Sequence, residues 1–173
     1  MSPIRLFLYA ATMILTIFGP EDAAGAEPPM DNERLGALIL RIDGNAEGRP
    51  GFWRATVAGR VITVITDEKA DRMRIISPVA QADDLEPALL FRLLQANFDT
   101  ALDARYSIAQ GVLWSVFLHP LGSLSDEQFL TGIGQVVNLA ATFGTTYSSG
   151  GLTFGGGDSG ELIQDLLEKG LSI

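Results

Sequence analysis

The sequence predicts an α+β fold in which helices pack on one antiparallel, five-stranded sheet. Apolar residues recur with a helical period in some stretches and alternate with period two in others. The predicted order is helix, three strands, helix, two strands, helix, and the strands within each group are joined by short turns. With 173 residues, 47% of them apolar, the chain has room for one domain with a substantial core.

The first half is predicted to be a helix followed by a three-stranded meander. Asp31 or Asn32 caps the helix, and Gly44 ends it. Its apolar positions follow the spacing i, i+3, i+4, i+7 and are Leu35, Leu38, Ile39 and Ile42. The period changes to two from Gly51, so Trp53, Ala55 and Val57 share one face of the first strand. Residues 61–66 and 72–78 follow as antiparallel partners.

A second helix is predicted to begin at a cap formed by Asp83 or Asp84, with Pro87 in its first turn. One stripe of this helix carries Leu85, Leu89, Leu90, Leu93, Leu94 and Asn97. Residues 104–108 and 112–119 then form two strands. Both faces of the second of these are largely apolar, so we expect it to be central in the sheet or covered on both faces.

The third helix has the clearest boundary in the chain. Ser125 as N-cap and Gln128 three residues later form a capping box. Leu124 and Phe129 fit the hydrophobic staple that often accompanies such a box. The sequence therefore predicts that the helix begins directly after Ser125.

The two ends of the chain differ from the domain at residues 27–144. Residues 1–26 combine Arg5, an apolar stretch at 6–18 and an AGA cleavage site, which predicts a secretory signal peptide removed after Ala26. The apolar stretch is too short to span a bilayer, so we expect a periplasmic or secreted protein with no membrane attachment after cleavage. Residues 145–173 are predicted to be a Gly-rich linker followed by an amphipathic helix that docks on the domain or on a partner.

Composition excludes several classes of function. The net charge of −9 argues against nucleic-acid binding, which needs a surplus of Lys and Arg. The absence of Cys removes disulfides, thiolate metal sites and cysteine nucleophiles. A single His leaves little for metal or acid–base chemistry, and we expect no cofactor and no metal.

One motif suggests chemistry. Residues 157–160 read GDSG, which surrounds the nucleophile in chymotrypsin-like proteases, and His119 lies upstream. Those enzymes need two β-barrels, and here the residues after Ser159 have a helical pattern. The motif is therefore interpreted as a Gly-rich loop that caps the last helix. His119 is interpreted as a structural residue at a strand end. We expect no catalytic residues.

Large apolar residues lie beside the predicted stripes. Phe91 and Phe98 flank the main stripe of the second helix, and Phe52 lies on the strand face of Arg54 and Thr56. Singly, each is more often core than interface. As a set they predict a partner or dimer interface formed by Phe91, Phe98, Leu94 and Phe52.

Five segments together resemble the YbjN-like family of bacterial sensory transduction regulators, in the type III secretion chaperone-like superfamily. These are residues 73–79 (MRIISPV), 89–99 (LLFRLLQANFD), 104–108 (ARYSI), 111–114 (GVLW) and 124–129 (LSDEQF). The resemblance implies a small homodimerising domain that binds polypeptide and has no catalytic residues. This chain differs from cytoplasmic secretion chaperones in its predicted signal peptide and Gly-rich tail.

The leading hypothesis is a non-enzymatic, exported binding module that forms a homodimer and holds a polypeptide through an apolar groove or a sheet edge. The first alternative is a small-ligand sensor that uses the cleft between sheet and helices. The second alternative is a hydrolase built on Ser159 and His119.

Overall fold

The computed structural model describes residues 28–99, 102–144 and 160–172. The predicted signal peptide and the predicted Gly-rich linker, with Ser159, lie outside these ranges. Within them, no helix combines the length and the apolar character needed to cross a bilayer.

The described residues form six strands and four α-helices. In chain order these are α1 (Asn32–Ile42), β1 (Glu47–Arg49), β2 (Phe52–Val57), β3 (Arg60–Asp67), β4 (Arg72–Gln81), a 3-10 helix (Ala82–Asp84), α2 (Pro87–Asp99), β5 (Arg105–Ala109), β6 (Val112–His119), α3 (Asp126–Ala141) and α4 (Gly160–Leu171). The strands form one antiparallel sheet in the order β1-β2-β3-β4-β6-β5. The predicted α+β class with helices on an antiparallel sheet is confirmed.

The prediction of five strands is wrong by one. The additional strand, β1, has only the three residues Glu-Gly-Arg and pairs with the start of β2. It contains no apolar residue, so the alternation that identified the other strands could not reveal it. Gly48 pairs with Trp53 there, and a β carbon on this glycine would lie 2.4 Å from the carbonyl oxygen of Phe52.

The main core lies on one face of the sheet. Strands β2, β3, β4 and β6 bury alternate residues, and α1, α3 and α4 cover them. The largest fully buried side chains include Leu35, Leu38, Ile39, Ile62, Met73, Ile75, Phe129, Leu130 and Ile133. Asp31 caps α1 by accepting from the N–H of Arg34, as the sequence predicted.

Helix α2 packs on the same face of the sheet, at its β5 end. Leu93 and Ala96 are buried there against Tyr106 of β5 and Leu113 of β6. The predicted cap is wrong, because Asp83 and Asp84 belong to a separate 3-10 turn. Helix α2 begins after them at Pro87, whose missing N–H costs nothing in a first turn.

The predicted start of α3 is confirmed. The Ser125 hydroxyl accepts from the N–H of Gln128, and the Gln128 side chain accepts from the N–H of Ser125. Helix α4 lies against α3 and α1, with Leu166 in the main core. Arg41 of α1 donates to the carbonyl oxygen of Gly170 at 2.9 Å, which fixes the end of α4. The C-terminal helix therefore docks on its own domain.

Candidate functional site

Helix α2 presents an apolar surface to solvent. Phe91, Leu94 and Phe98 are spaced i, i+3, i+7 and therefore share one side of the helix. Their exposed fractions are 63%, 67% and 81%. We call these three residues the α2 surface. The sequence assigned Leu94 both to the main stripe of this helix and to the predicted interface, and the structure turns its side chain outward.

The orientation of α2 is fixed by the residues on its inner side. Leu93 and Ala96 are buried, and the side chain of Asn97 pairs with the backbone of Tyr106. Because these contacts hold one side against the sheet, the opposite side must face solvent. The α2 surface is thus a consequence of how the helix is anchored.

Phe52 does not join the other three predicted interface residues. It lies on β2, opposite Ile65 of β3. Because it is adjacent in sequence to buried Trp53, its side chain points to the other face of the sheet. It is therefore on the second face of the sheet, while α2 packs on the first. The structure brings Phe91, Leu94 and Phe98 together and places Phe52 on a separate surface.

That second face carries no helix in the parts of the chain that the structure describes. We call it the open sheet face. Its apolar members come from four strands and are exposed or half-buried: Phe52, Val61, Ile65, Ile76, Pro78, Val112, Trp114, Val116 and Leu118. Leu118 is 61% exposed, although it belongs to an interior strand. Strand β6 is interior, as the sequence predicted, but only one of its faces is covered.

The open sheet face also carries positive charge. Five arginines occupy strand positions whose side chains point to this face: Arg49, Arg54, Arg72, Arg74 and Arg105. Two carboxylates share it, Glu47 and Asp67. The face therefore has a net charge of +3 on a chain whose net charge is −9. Within the described ranges, the side chains of Arg49, Arg54 and Arg74 make no hydrogen bond or ion pair.

A cavity of about 460 Å³ lies between β6 and α3. Its lining includes His119, Asp103, Glu127 and Gln135. The Gln135 side chain accepts from the N–H groups of Asp103 and Ala104 at 2.8 and 3.0 Å, so it fixes the start of β5. The cavity corresponds to the cleft between sheet and helices that the sensor alternative requires.

His119 is held by its own neighbours. Its Nδ1 donates to the carbonyl oxygen of Pro120 at 2.7 Å, and its ring stacks on Phe117 at 6.1 Å between centroids. Ser159 lies outside the described residues, so no distance relates the two. The described ranges contain no cluster of three or more His, Asp or Glu side chains that could hold a metal ion.

The fold has neighbours among solved structures. A chain of the ExsC–ExsE complex aligns with a TM-score of 0.51 and 15% identity, over 64% of this chain and 92% of that one. A chain of the HopA1–SchA chaperone–effector complex aligns with a TM-score of 0.47 and 15% identity, over 66% of this chain and 98% of that one. No protein-family model matches the chain, and no curated protein matches it. The described domain therefore shares its fold with a chain of the ExsC–ExsE complex.

Sequence reasoning found the α2 surface and missed the open sheet face. Outward residues such as Val116 and Trp114 have the same apolar character as core residues, so the pattern alone assigned them to burial. The signal that could have found the face is the recurrence of Arg at outward-facing positions of three predicted strands, at positions 54, 72, 74 and 105.

Proposed function

We propose that this protein is a non-enzymatic, exported module that binds polypeptide and acts as a homodimer joined through the α2 surface. The observation that carries the proposal is the exposure of Phe91, Leu94 and Phe98 on a firmly anchored helix. Isolated exposed apolar residues are ordinary, but a contiguous patch is typical of an interaction surface. The type III secretion chaperone-like fold supports a polypeptide as the partner.

A homodimer would cover the α2 surface of each copy with the α2 surface of the other. In a two-fold contact both copies offer the same patch, so three large apolar side chains from each protomer are removed from water. Fully burying a Leu or Phe contributes about 1.5–3 kcal/mol. Export through the segment at residues 1–26 and membership of the YbjN-like family belong to the same proposal and rest on the sequence.

The absence of catalysis is also part of the proposal. His119 is engaged by Pro120 and stacked on Phe117, which supports a structural role for this residue. Replacing it with Ala should leave partner binding intact, and broad ester and peptide substrates should show background turnover. Turnover that is abolished by His119→Ala or Ser159→Ala would make the protein a hydrolase instead.

A pulldown from a periplasmic extract, followed by mass spectrometry of the native complex, tests the proposed function. A binding module recovers a polypeptide in a fixed ratio to the protein. The cavity between β6 and α3 favours one second candidate, a small-ligand sensor. If the protein is a sensor, it should retain a small molecule and no polypeptide in this experiment. Gln135→Leu should then abolish retention of the small molecule.

A further inference from the structure

We propose that the open sheet face binds an amphipathic helix whose apolar stripe is flanked on both sides by acidic side chains. This proposal rests on the proposed function and names the chemistry of the polypeptide partner. It concerns the sheet face and not the α2 surface, so the two can be tested separately.

The apolar part of the face runs along its central strands. Ile76 of β4 pairs with Val116 of β6, and Pro78 pairs with Trp114 in the same two strands. Leu118 continues the row along β6. A helix packed on a sheet buries one apolar stripe, and these side chains offer a continuous row for it.

Arginines stand on both sides of this row. The strand register aligns one residue from each of five strands across the sheet: Arg54, Thr63, Ile76, Val116 and Arg105. Adjacent strands are about 4.8 Å apart, so the backbones of Arg54 and Arg105 are about 19 Å apart. A helix with its side chains is about 10–12 Å across, so it fits between them and leaves both guanidinium groups beside its flanks.

The charge of the face selects the sign of the partner. The side chains of Arg54 and Arg74 make no hydrogen bond or ion pair with the described residues, and guanidinium groups pair well with carboxylates in a bidentate geometry. A basic helix would meet net repulsion on this face. Opposite charges in this arrangement raise the association rate and exclude partners of the wrong sign.

The same face is less suited to an anionic lipid surface. Glu47 and Asp67 lie on it, and the whole chain carries a net charge of −9. A bilayer presents continuous negative charge and would meet both carboxylates, whereas a helix can place its acidic residues only beside the arginines. Each arginine contributes about 1 kcal/mol of attraction to such a membrane, and the two carboxylates offset part of this attraction.

Synthetic peptides test the proposal directly. One peptide of about 18 residues, or five helical turns, carries a Leu stripe flanked by Glu, and a second carries the same stripe flanked by Lys. Purified protein should bind the Glu peptide at least tenfold more tightly, and binding should weaken in high salt. Of the two tryptophans, Trp53 is buried under the helices, so a blue shift of Trp114 emission reports contact with the open sheet face.

Arg54→Gln combined with Arg74→Gln should weaken binding of the Glu peptide at least tenfold without changing the melting temperature. Both arginine side chains lack a hydrogen bond or ion pair in the described ranges, and Gln at position 54 puts no second carboxylate opposite Glu47. The matched control is Lys169→Glu on α4, whose exposed pair with Asp165 adds little stability, and it should change affinity less than twofold. Equal affinity for the two peptides, or an equal effect of Lys169→Glu, would overturn the proposal. Arginine-dependent binding to phosphatidylglycerol vesicles without binding to the Glu peptide would also overturn it, in favour of a lipid surface.

Failure of this proposal can be told from failure of the proposed function. If the pulldown recovers a polypeptide but the Glu peptide does not bind, only the sheet-face assignment is wrong. If the Glu peptide binds but the wild type is monomeric, only the α2 dimer is wrong. Phe91→Glu should leave peptide affinity within twofold, because α2 packs on the other face of the sheet.

Discussion

The side chain of Asn97, on α2, pairs with both backbone polar groups of Tyr106, on the edge strand β5. Its Nδ2 donates to the Tyr106 carbonyl oxygen at 3.1 Å, and its Oδ1 accepts from the Tyr106 N–H at 2.7 Å. The Tyr106 hydroxyl donates to the carbonyl oxygen of Leu139 at 2.8 Å, so α2, β5 and α3 are joined at one point. Unpaired edge groups invite pairing with other chains, and here a side-chain amide occupies them.

Asn97→Ala should lower the free energy of unfolding by about 2 kcal/mol, because it removes two hydrogen bonds that contribute about 1 kcal/mol each. Chemical denaturation measures this change. The amide of Tyr106 should also exchange faster with solvent, which amide hydrogen exchange resolves residue by residue.

Asn97→Asp is the matched control, because a carboxylate still accepts from the Tyr106 N–H but cannot donate to its carbonyl. The Tyr106 amide should stay protected in this variant. Equal protection of that amide in Asn97→Ala would contradict the role assigned to the pair.

Phe91→Glu should convert a dimer into a folded monomer. In the proposed two-fold contact it places two carboxylates near each other in a desolvated interface, whereas on a free surface the same change costs little. Light scattering at micromolar concentration measures the mass, and circular dichroism checks folding. Leu40→Glu is the control, since Leu40 is a 54% exposed apolar residue on α1, and it should leave the mass unchanged. A monomeric wild type would refute the α2 dimer, and a mutant that unfolds would assign Phe91 to the core.

Gly134→Ala should destabilise the docking of α4. A β carbon on Gly134 of α3 would lie 2.5 Å from Cγ1 of Ile163 on α4, so the Ile163 side chain or its helix must shift. Overpacking costs about 1–3 kcal/mol, which exceeds the helix-propensity gain of up to about 1 kcal/mol. Gly160→Ala is the control, because a β carbon there has no neighbour within 4 Å, and its unfolding midpoint should not fall. Equal midpoints for the two variants would show that α4 adjusts freely.

Ser125→Ala should lower the free energy of unfolding by about 1 kcal/mol, because it removes the hydroxyl that accepts from the N–H of Gln128. Ser123→Ala, at an exposed position two residues earlier, should change it by less than half as much. Urea denaturation of both variants measures the difference. Similar losses for the two variants would mean that the capping box adds no stability.

The sequence alone determined the class of the fold and most of its elements. The capping box at Ser125 and the turn at Gln110 and Gly111 depend on local geometry, so local residues define them. The alternation of Trp53, Ala55 and Val57 defined a strand with one buried face for the same reason. Strand β1 was not predicted because its three polar or small residues show no alternation of apolar and polar positions. Only the pairing with β2 makes them a strand.

Only the tertiary structure decided which apolar residues remain in water. Leu94 and Leu93 are adjacent in sequence and similar in character, yet one is 67% exposed and the other 2%, because Leu93 faces the sheet and Asn97 fixes that orientation. Likewise Phe117 and Leu118 alternate along β6, and only the placement of every described helix on one face of the sheet leaves Leu118 uncovered. Burial depends on long-range packing between elements, and a periodic pattern of residues does not contain that information.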